Sequence, residues 1–303
     1  MKAAIDIGTN TVLLLVAEMH EGMINSLHEE QRVPRLGKGV DADKNINQAA
    51  TDRVIEALSE YKEILASGYP EVENVTVTAT SAVRDANNRE EFIQNVRKST
   101  GYNIKLLSGR EEAEWTAAGA LSMFSQSPEN QTAILDIGGG STEIALLNGL
   151  EVKDSHSFDM GSVRFTERFL KNNPPKTNEI TACREEIKRL LESRPFIVKN
   201  DIQAVGVAGT VTTLAGMILD LETYQPEKLN GFSISAYKLQ NIIDLFSKYP
   251  SEEMLNKHPV YLKGRADIFL AGMLILEGFM THFKVTDITV STGGIRHGAV
   301  LKT

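Results

Sequence analysis

The segments DIGTNT (6–11) and DIGGGSTE (136–143) are two versions of one turn. Each follows an apolar run, Ala3–Ile7 or Thr132–Ile137, and leads into another, Val12–Ala17 or Thr142–Leu147. A repeat of strand, acidic glycine turn and strand at the start of two halves predicts a duplicated α/β unit. Outward from the first turn, a third strand is expected near Ile24–Glu29, then a loop over Arg32–Asn47. Helical spacing of Val54, Leu58, Tyr61 and Leu65 predicts a helix from Gln48 to Ala66, with Leu58 and Tyr61 in the core. Alternation predicts a strand over Asn74–Thr80. Helix Glu90–Ser99, strand Ile104–Leu107 and helix Arg110–Phe124 complete the first half. The polar stretch Ser125–Gln131 reads as a hinge. Beyond the second turn, Asn148-Gly149 signals a hairpin. Helices are expected at Ser162–Lys171, Glu179–Glu192, Val211–Asp220, Ala236–Phe246 and Arg265–Phe283, with strands at Ile202–Val207 and Ile288–Ser291. The expectation is two lobes, 1–125 and 126–303, facing across a central cleft.

Bulk properties narrow the function. A chain of 303 residues is long for one core. A net charge of −8 argues against coating DNA or RNA through bulk electrostatics. No leader and no membrane-spanning stretch is read, so no membrane partner is expected. One cysteine, Cys183, rules out an intramolecular disulfide and suits a reducing cytoplasm. An acidic chain binds a polyanion only through local cations and a metal.

The turns supply such a place. Gly8 has an ordinary explanation in a tight turn, but Gly138, Gly139 and Gly140 exceed what a turn requires. Without side chains they let N–H groups approach an anion. Ser141 and Thr142, with Thr9, Asn10 and Thr11 of the first turn, add neutral donors. Asp6 and Asp136 repel phosphate and make sense as ligands of Mg²⁺, with Mn²⁺ as the alternative; Glu143 reads either as an extension of that shell or as an exposed strand residue. A third small-residue turn, AVGVAGTVTTLA (204–215), reads either as another phosphate loop through Gly209 and Thr210 or as a close strand–helix packing turn. Arg84, after Ser81-Ala82, suits a fork onto phosphate oxygens. Arg35, Lys38, Arg265 and Arg296 are candidates for a basic track.

Ser108-Gly109-Arg110-Glu111 is a capping box, which employs Glu111 structurally. Glu112, the next residue, reads as a carboxylate suited to accept a proton. On pattern alone, Glu112 and Glu114 also read as first-turn acids that suit the helix dipole.

Taken in order, DIGTNT, RLGKG (35–39), TATSAVRDA (78–86), SGREEAEW (108–115), DIGGGSTE, FDMGSVRF (158–165), GVAGTVTTLA (206–215) and STGGIRHG (291–298) resemble the exopolyphosphatase/guanosine pentaphosphate phosphohydrolase (Ppx/GppA) family. The resemblance implies an actin-like (ribonuclease H-like) fold with duplicated β-β-β-α-β-α units. It implies release of inorganic phosphate from a terminal phosphoanhydride of polyphosphate or of guanosine penta- or tetraphosphate. It maps the general base to Glu112, metal and phosphate contacts to Asp136, Glu143, the Gly138–Ser141 backbone, Asp6 and Asn10, and a phosphate-binding arginine to Arg84. His297 stands where that family usually has glutamate. The helical domain of longer members is absent from this sequence. An ATP-using kinase of the same clan, and a non-catalytic sensor or assembly protein, are the competing readings. The apolar stretch Ile268–Phe279 reads as core or as a homodimer interface.

Overall fold

The computed structural model describes residues 1–20, 23–124, 130–198 and 202–302. Most of the hinge read at Ser125–Gln131 therefore lies outside the described residues. The chain forms two compact units, Met1–Met123 with Gly293–Thr303, and Phe124–Thr292.

The first unit opens with an antiparallel meander, β1 (Lys2–Ile7), β2 (Val12–His20) and β3 (Met23–Arg32). There follow α1 (Val40–Asp43), α2 (Gln48–Gly68), β4 (Val75–Ala79), α3 (Ser81–Arg84), α4 (Arg89–Thr100), β5 (Ile104–Leu106) and α5 (Gly109–Leu121). The sheet order is β3-β2-β1-β4-β5, with β4 parallel to β1 and β5 parallel to β4. Central strands covered on both faces read as continuous apolar runs, and Ile5, Ile7, Leu14, Leu15 and Val16 are all fully buried. The N-cap of α2 is Asn47, whose side chain accepts the Ala50 N–H at 2.8 Å. Its buried stripe of Val54, Leu58, Tyr61 and Leu65 is the expected one. The Tyr61 hydroxyl, buried with it, donates to the Val12 carbonyl at 2.8 Å. The loop expected over Arg32–Asn47 holds the short α1.

The second unit repeats the plan: β6 (Gln131–Ile137), β7 (Thr142–Asn148), β8 (Glu151–Phe158), α6 (Ser162–Phe169), α7 (Thr177–Ser193), β9 (Gln203–Val207) and α8 (Ala208–Ile218). It continues through α9 (Pro226–Leu229), β10 (Ser233–Ser235), α10 (Ala236–Phe246), α11 (Ser251–Lys257), α12 (Pro259–Leu262), α13 (Phe269–Phe283) and β11 (Asp287–Val290). The order β8-β7-β6-β9-β11 matches the first sheet, and β10 adds an antiparallel edge. These two mixed sheets are the duplicated actin-like units expected. Gly149 takes φ 58 in the β7–β8 hairpin. The helix expected from Arg265 begins at Phe269, and its apolar side chains, among them Leu270, Met273, Leu274 and Phe279, lie in the core of this unit.

The last helix, α14 (Ile295–Lys302), departs from the expected division. Residues 293–303 belong to the first unit, not to a lobe running 126–303. The cause is a backbone-to-backbone contact. A Cβ on Gly119 of α5 would lie 2.0 Å from the Gly294 carbonyl oxygen, and one on Gly298 would lie 2.0 Å from that of Trp115. Glycine alone permits helices to approach so closely. Arg296 donates from Nη1 to the Leu14 carbonyl at 2.8 Å and from Nη2 to Glu29 at 3.1 Å. It ties α14 to the meander, and a place in a basic track is not what these contacts serve.

His297 is buried, and its Nδ1 accepts the Gly294 N–H at 3.3 Å. That is the reciprocal half of a capping box, done by an imidazole in place of a glutamate. Burial first, then the Arg296 charge, push its pKa down to about 3. An unfolded histidine titrates near 6.5, so below that pH the unfolded chain binds the extra proton. The stability from neutral His297 is complete above about pH 6.5 and is lost as pH falls toward the folded value, at up to about 1.4 kcal/mol per pH unit. His297→Gln, which keeps an acceptor, is expected to flatten the decline between pH 6.5 and 4.5. Urea midpoints across that range check this, and parallel wild-type and variant curves would refute it.

Candidate active site

In the second unit the loop after β6 closes through the Gly138 N–H, which donates to the Ser141 carbonyl at 3.0 Å. Its carbonyls face the start of α6. Ser162 N–H donates to Gly138 at 2.9 Å, and the N–H groups of Val163 and Arg164 donate to Gly139 at 2.9 and 3.1 Å. Arg164 Nε donates to the Gly140 carbonyl at 2.6 Å. In a trans peptide the N–H lies opposite the preceding carbonyl. Three carbonyls held by α6 therefore turn the N–H groups of Gly139, Gly140 and Ser141 to the other side, which is how a backbone cradle for an anion is made. The loop could not sit there if residue 161 had a side chain, because a Cβ on Gly161 would lie 2.4 Å from the Gly139 carbonyl oxygen. Thr142 was expected as a phosphate donor. Its hydroxyl is instead fully buried and donates to the Met160 carbonyl at 2.6 Å, so it shapes the loop.

The first unit builds the same turn differently. Gly8 N–H donates to the Thr11 carbonyl at 2.9 Å. The Thr9 and Asn10 carbonyls accept from the backbone N–H groups of Gly37 and Arg35 at 2.8 and 3.0 Å. The RLGKG loop thus grips the first turn by its backbone, turning the N–H groups of Asn10 and Thr11 away. A Cβ on Gly37 would lie 2.2 Å from Thr9 Cγ2, so the grip requires glycine. The Thr9 hydroxyl meets that of Ser81 at 3.1 Å, bringing the TSAVR turn to this loop. Lys38 is exposed.

The acidic residues fall into two arrangements. Asp6 is buried on β1, and its Oδ1 accepts the Thr78 hydroxyl at 3.0 Å across the parallel pair with β4. Asp136 sits directly opposite Glu143 on β7, both buried, with Glu143 Oε1 accepting the Ser157 hydroxyl at 2.5 Å. At the matching register the first unit has Leu13 opposite Asp6. At this register the carboxylate pair is a feature of the second unit. Like charges directly opposed across strands are unfavourable unless a cation or proton accompanies them. An all-oxygen donor pair suits Mg²⁺, which keeps several waters and uses one or two carboxylates with substrate oxygens. Among the described residues no group of three or more His, Cys, Asp or Glu is arranged to hold an ion. Asp6 belongs to the first unit, Asp136 and Glu143 to the second.

The capping box at Ser108 is present. Ser108 Oγ accepts the Glu111 N–H at 3.2 Å, and the Ser108 N–H donates to Glu111 Oε2 at 3.0 Å. The Ser108 N–H, together with the Ser108 hydroxyl that donates to the same Oε2 at 2.9 Å, lowers the Glu111 pKa. Glu112 turns elsewhere. It is buried at 7% exposure, and its Oε2 accepts Arg84 Nη1 at 2.9 Å. Arg84 Nη1 also donates to the Leu107 carbonyl at 3.0 Å. Two residues singled out separately are therefore one ion pair, built from the end of α3 and the first turn of α5. Burial disfavours the charged carboxylate, and the guanidinium beside it favours it.

The third turn packs closely on its neighbours. The helix expected after Thr210 starts at Ala208, which takes φ 64. Arg265 Nη1 donates to the Gly209 carbonyl and to the Thr213 hydroxyl, each at 3.1 Å. Thr210 packs on α13, where a Cβ on Gly272 would lie 2.5 Å from its Oγ1. Sequence reasoning passed over Arg164. Its signal was available in FDMGSVRF, where a cation in the first turn of a helix opposes the dipole and so asks for a reason.

A model of the Ppx/GppA phosphatase family matches residues 15–303. Exopolyphosphatase 2 of Mycobacterium tuberculosis is 32% identical over 314 residues, covering 99% of this chain and 97% of that protein. A bifunctional 3-dehydroquinate synthase/phosphatase of Fusobacterium nucleatum is 31% identical over 100% of this chain, which spans 46% of that relative. Among solved structures, the Ppx/GppA family member of Aquifex aeolicus matches with a TM-score of 0.83 at 29% identity, covering 99% of this chain and 96% of that one. An exopolyphosphatase from Cytophaga hutchinsonii gives a TM-score of 0.87 at 26% identity, covering 99% and 97%. With the motifs, the two matching sheets and these similarities together, the chain belongs to the Ppx/GppA phosphatase family.

Proposed function

We propose that this chain hydrolyses the terminal phosphoanhydride of polyphosphate, releasing inorganic phosphate, with guanosine pentaphosphate as a second substrate to be tested. The observation that carries the reading is the buried Glu112–Arg84 pair at 2.9 Å, in a chain that also holds an N–H cradle at 139–141, turned away from α6. In this reading Glu112 takes the proton of an attacking water, and Arg84 leans toward phosphate oxygens as they arrive. The N–H groups of Gly139, Gly140 and Ser141 bind the charge of the phosphate chain. Asp136 and Glu143 would hold a divalent cation, Mg²⁺ by their oxygen chemistry, which supplies positive charge to the phosphate oxygens when bound. The name exopolyphosphatase borne by the Mycobacterium tuberculosis and Cytophaga hutchinsonii relatives supports polyphosphate as the substrate class.

Phosphate release from polyphosphates of graded length and from guanosine pentaphosphate, with Mg²⁺ and without any acceptor, tests the reading. Acceptor-independent release that stops on chelation is expected. Turnover of ATP that needs an acceptor would replace it with a kinase. Tight binding without any turnover would replace it with a sensor.

A further inference from the structure

We infer that Arg164 is a positioning residue that sets the affinity of the 138–141 loop for phosphate, an inference that rests on reading that loop as the phosphate cradle. A helix start carries orphan N–H groups that ordinarily meet a capping side chain or an anion. Gly161, the N-cap of α6, offers no side chain. The donors are used up on the loop instead: Ser162 on Gly138, and Val163 and Arg164 on Gly139. The third carbonyl, Gly140, is taken by Arg164 Nε at 2.6 Å. Three successive peptides are clamped by their oxygens.

This explains an otherwise unfavourable choice. Arg164 is a buried cation, 6% exposed, in the first turn of a helix, where the dipole favours an anion. Its charge lies on the oxygen side of the loop. A donor at the carbonyl polarises the peptide, so that the N–H on the other side becomes a better donor. The guanidinium and the α6 dipole thereby act on a bound phosphate through the intervening peptides. In the matching turn of the first unit, the Thr9 and Asn10 carbonyls accept from the backbone N–H groups of Gly37 and Arg35. The charged anchor belongs to the unit that also carries Asp136 opposite Glu143.

Calorimetric titration with tripolyphosphate of wild type, Arg164→Gln and Arg164→Lys tests this, together with amide exchange of the 136–143 segment. Arg164→Gln is expected to bind about ten-fold or more weakly, the loss of a charge-assisted bond. Exchange of the 139–141 amides should quicken while α13 keeps its protection. Arg164→Lys should recover part of the affinity, because it keeps the charge and loses the fixed Nε bond. Wild-type affinity in Arg164→Gln overturns the inference, as does protection lost equally from the loop and α13, the mark of a merely structural role. Should Arg164→Gln fail to fold, wild-type affinity in Arg164→Lys overturns it. Wild type that binds tripolyphosphate but releases no phosphate overturns the hydrolytic reading and leaves the anchor standing.

Discussion

Glu112→Gln is expected to lower kcat for phosphate release from polyphosphate by about 10²- to 10⁴-fold, the usual worth of a general base. The substitution is close to isosteric, and its amide oxygen can still accept Arg84 Nη1. What it cannot do is take a proton. The local structure should persist, since Nη1 also donates to the Leu107 carbonyl. Losing the charge of the pair while keeping the hydrogen bond costs at most about 1–3 kcal/mol. Affinity for the phosphate chain should therefore hold or improve, because a carboxylate that repels phosphate has gone. Single-turnover release measured beside tripolyphosphate binding separates the two effects. A variant within about three-fold of wild type in kcat, a change too small for a lost general base, would remove Glu112 from the mechanism.

The largest structural effect is expected at the α5–α14 contact. Gly119→Ala puts a methyl where the Gly294 carbonyl oxygen stands, at 2.0 Å, and close to the Gly298 backbone nitrogen at 2.7 Å. Neither neighbour is the flexible end of a side chain, so the helices must separate. Overpacking of this kind costs about 1–3 kcal/mol and sometimes more. Gly298→Ala meets the Trp115 carbonyl oxygen at 2.0 Å and should cost a similar amount. Because both substitutions push on one contact, the double variant should lose less than the sum of the singles. Urea midpoints for the two singles and the double check this, and strict additivity would show that the sites do not share a contact. Activity should fall as well, since α5 carries Glu112 in its first turn.

Local signals were readable in the sequence where the interaction is local. The meander around each glycine turn follows from alternation and turn residues, and the Ser108–Glu111 box joins residues three apart. The stripe of α2 follows from its period. What escaped depends on partners far along the chain. Gly119 reads as an ordinary glycine within a predicted helix, and Gly293 and Gly298 resemble loop glycines, until α14 is seen against α5. Arg296 and Arg265 resemble a phosphate track until their carbonyl partners, Leu14 and Gly209, are seen. Thr142 resembles a donor to substrate until its hydroxyl is found on Met160. The pairing of Arg84 with Glu112 spans 28 positions, and neither residue's surroundings announce it.

The placement of α14 also bears on how the chain acquires its structure. The second unit is one uninterrupted stretch, whereas the first is assembled from an opening segment and a closing one. Lys2 Nζ, near the start of β1, donates to the Val300 carbonyl at 3.1 Å, a contact between residues 298 positions apart. During synthesis, α5 emerges long before the helix that covers its glycine face. All of the second unit must be made in between, and domains can fold as they emerge. The unit that bears Glu112 is thus begun before its neighbour and completed after it, and its completion waits on a loop closure as long as that neighbour.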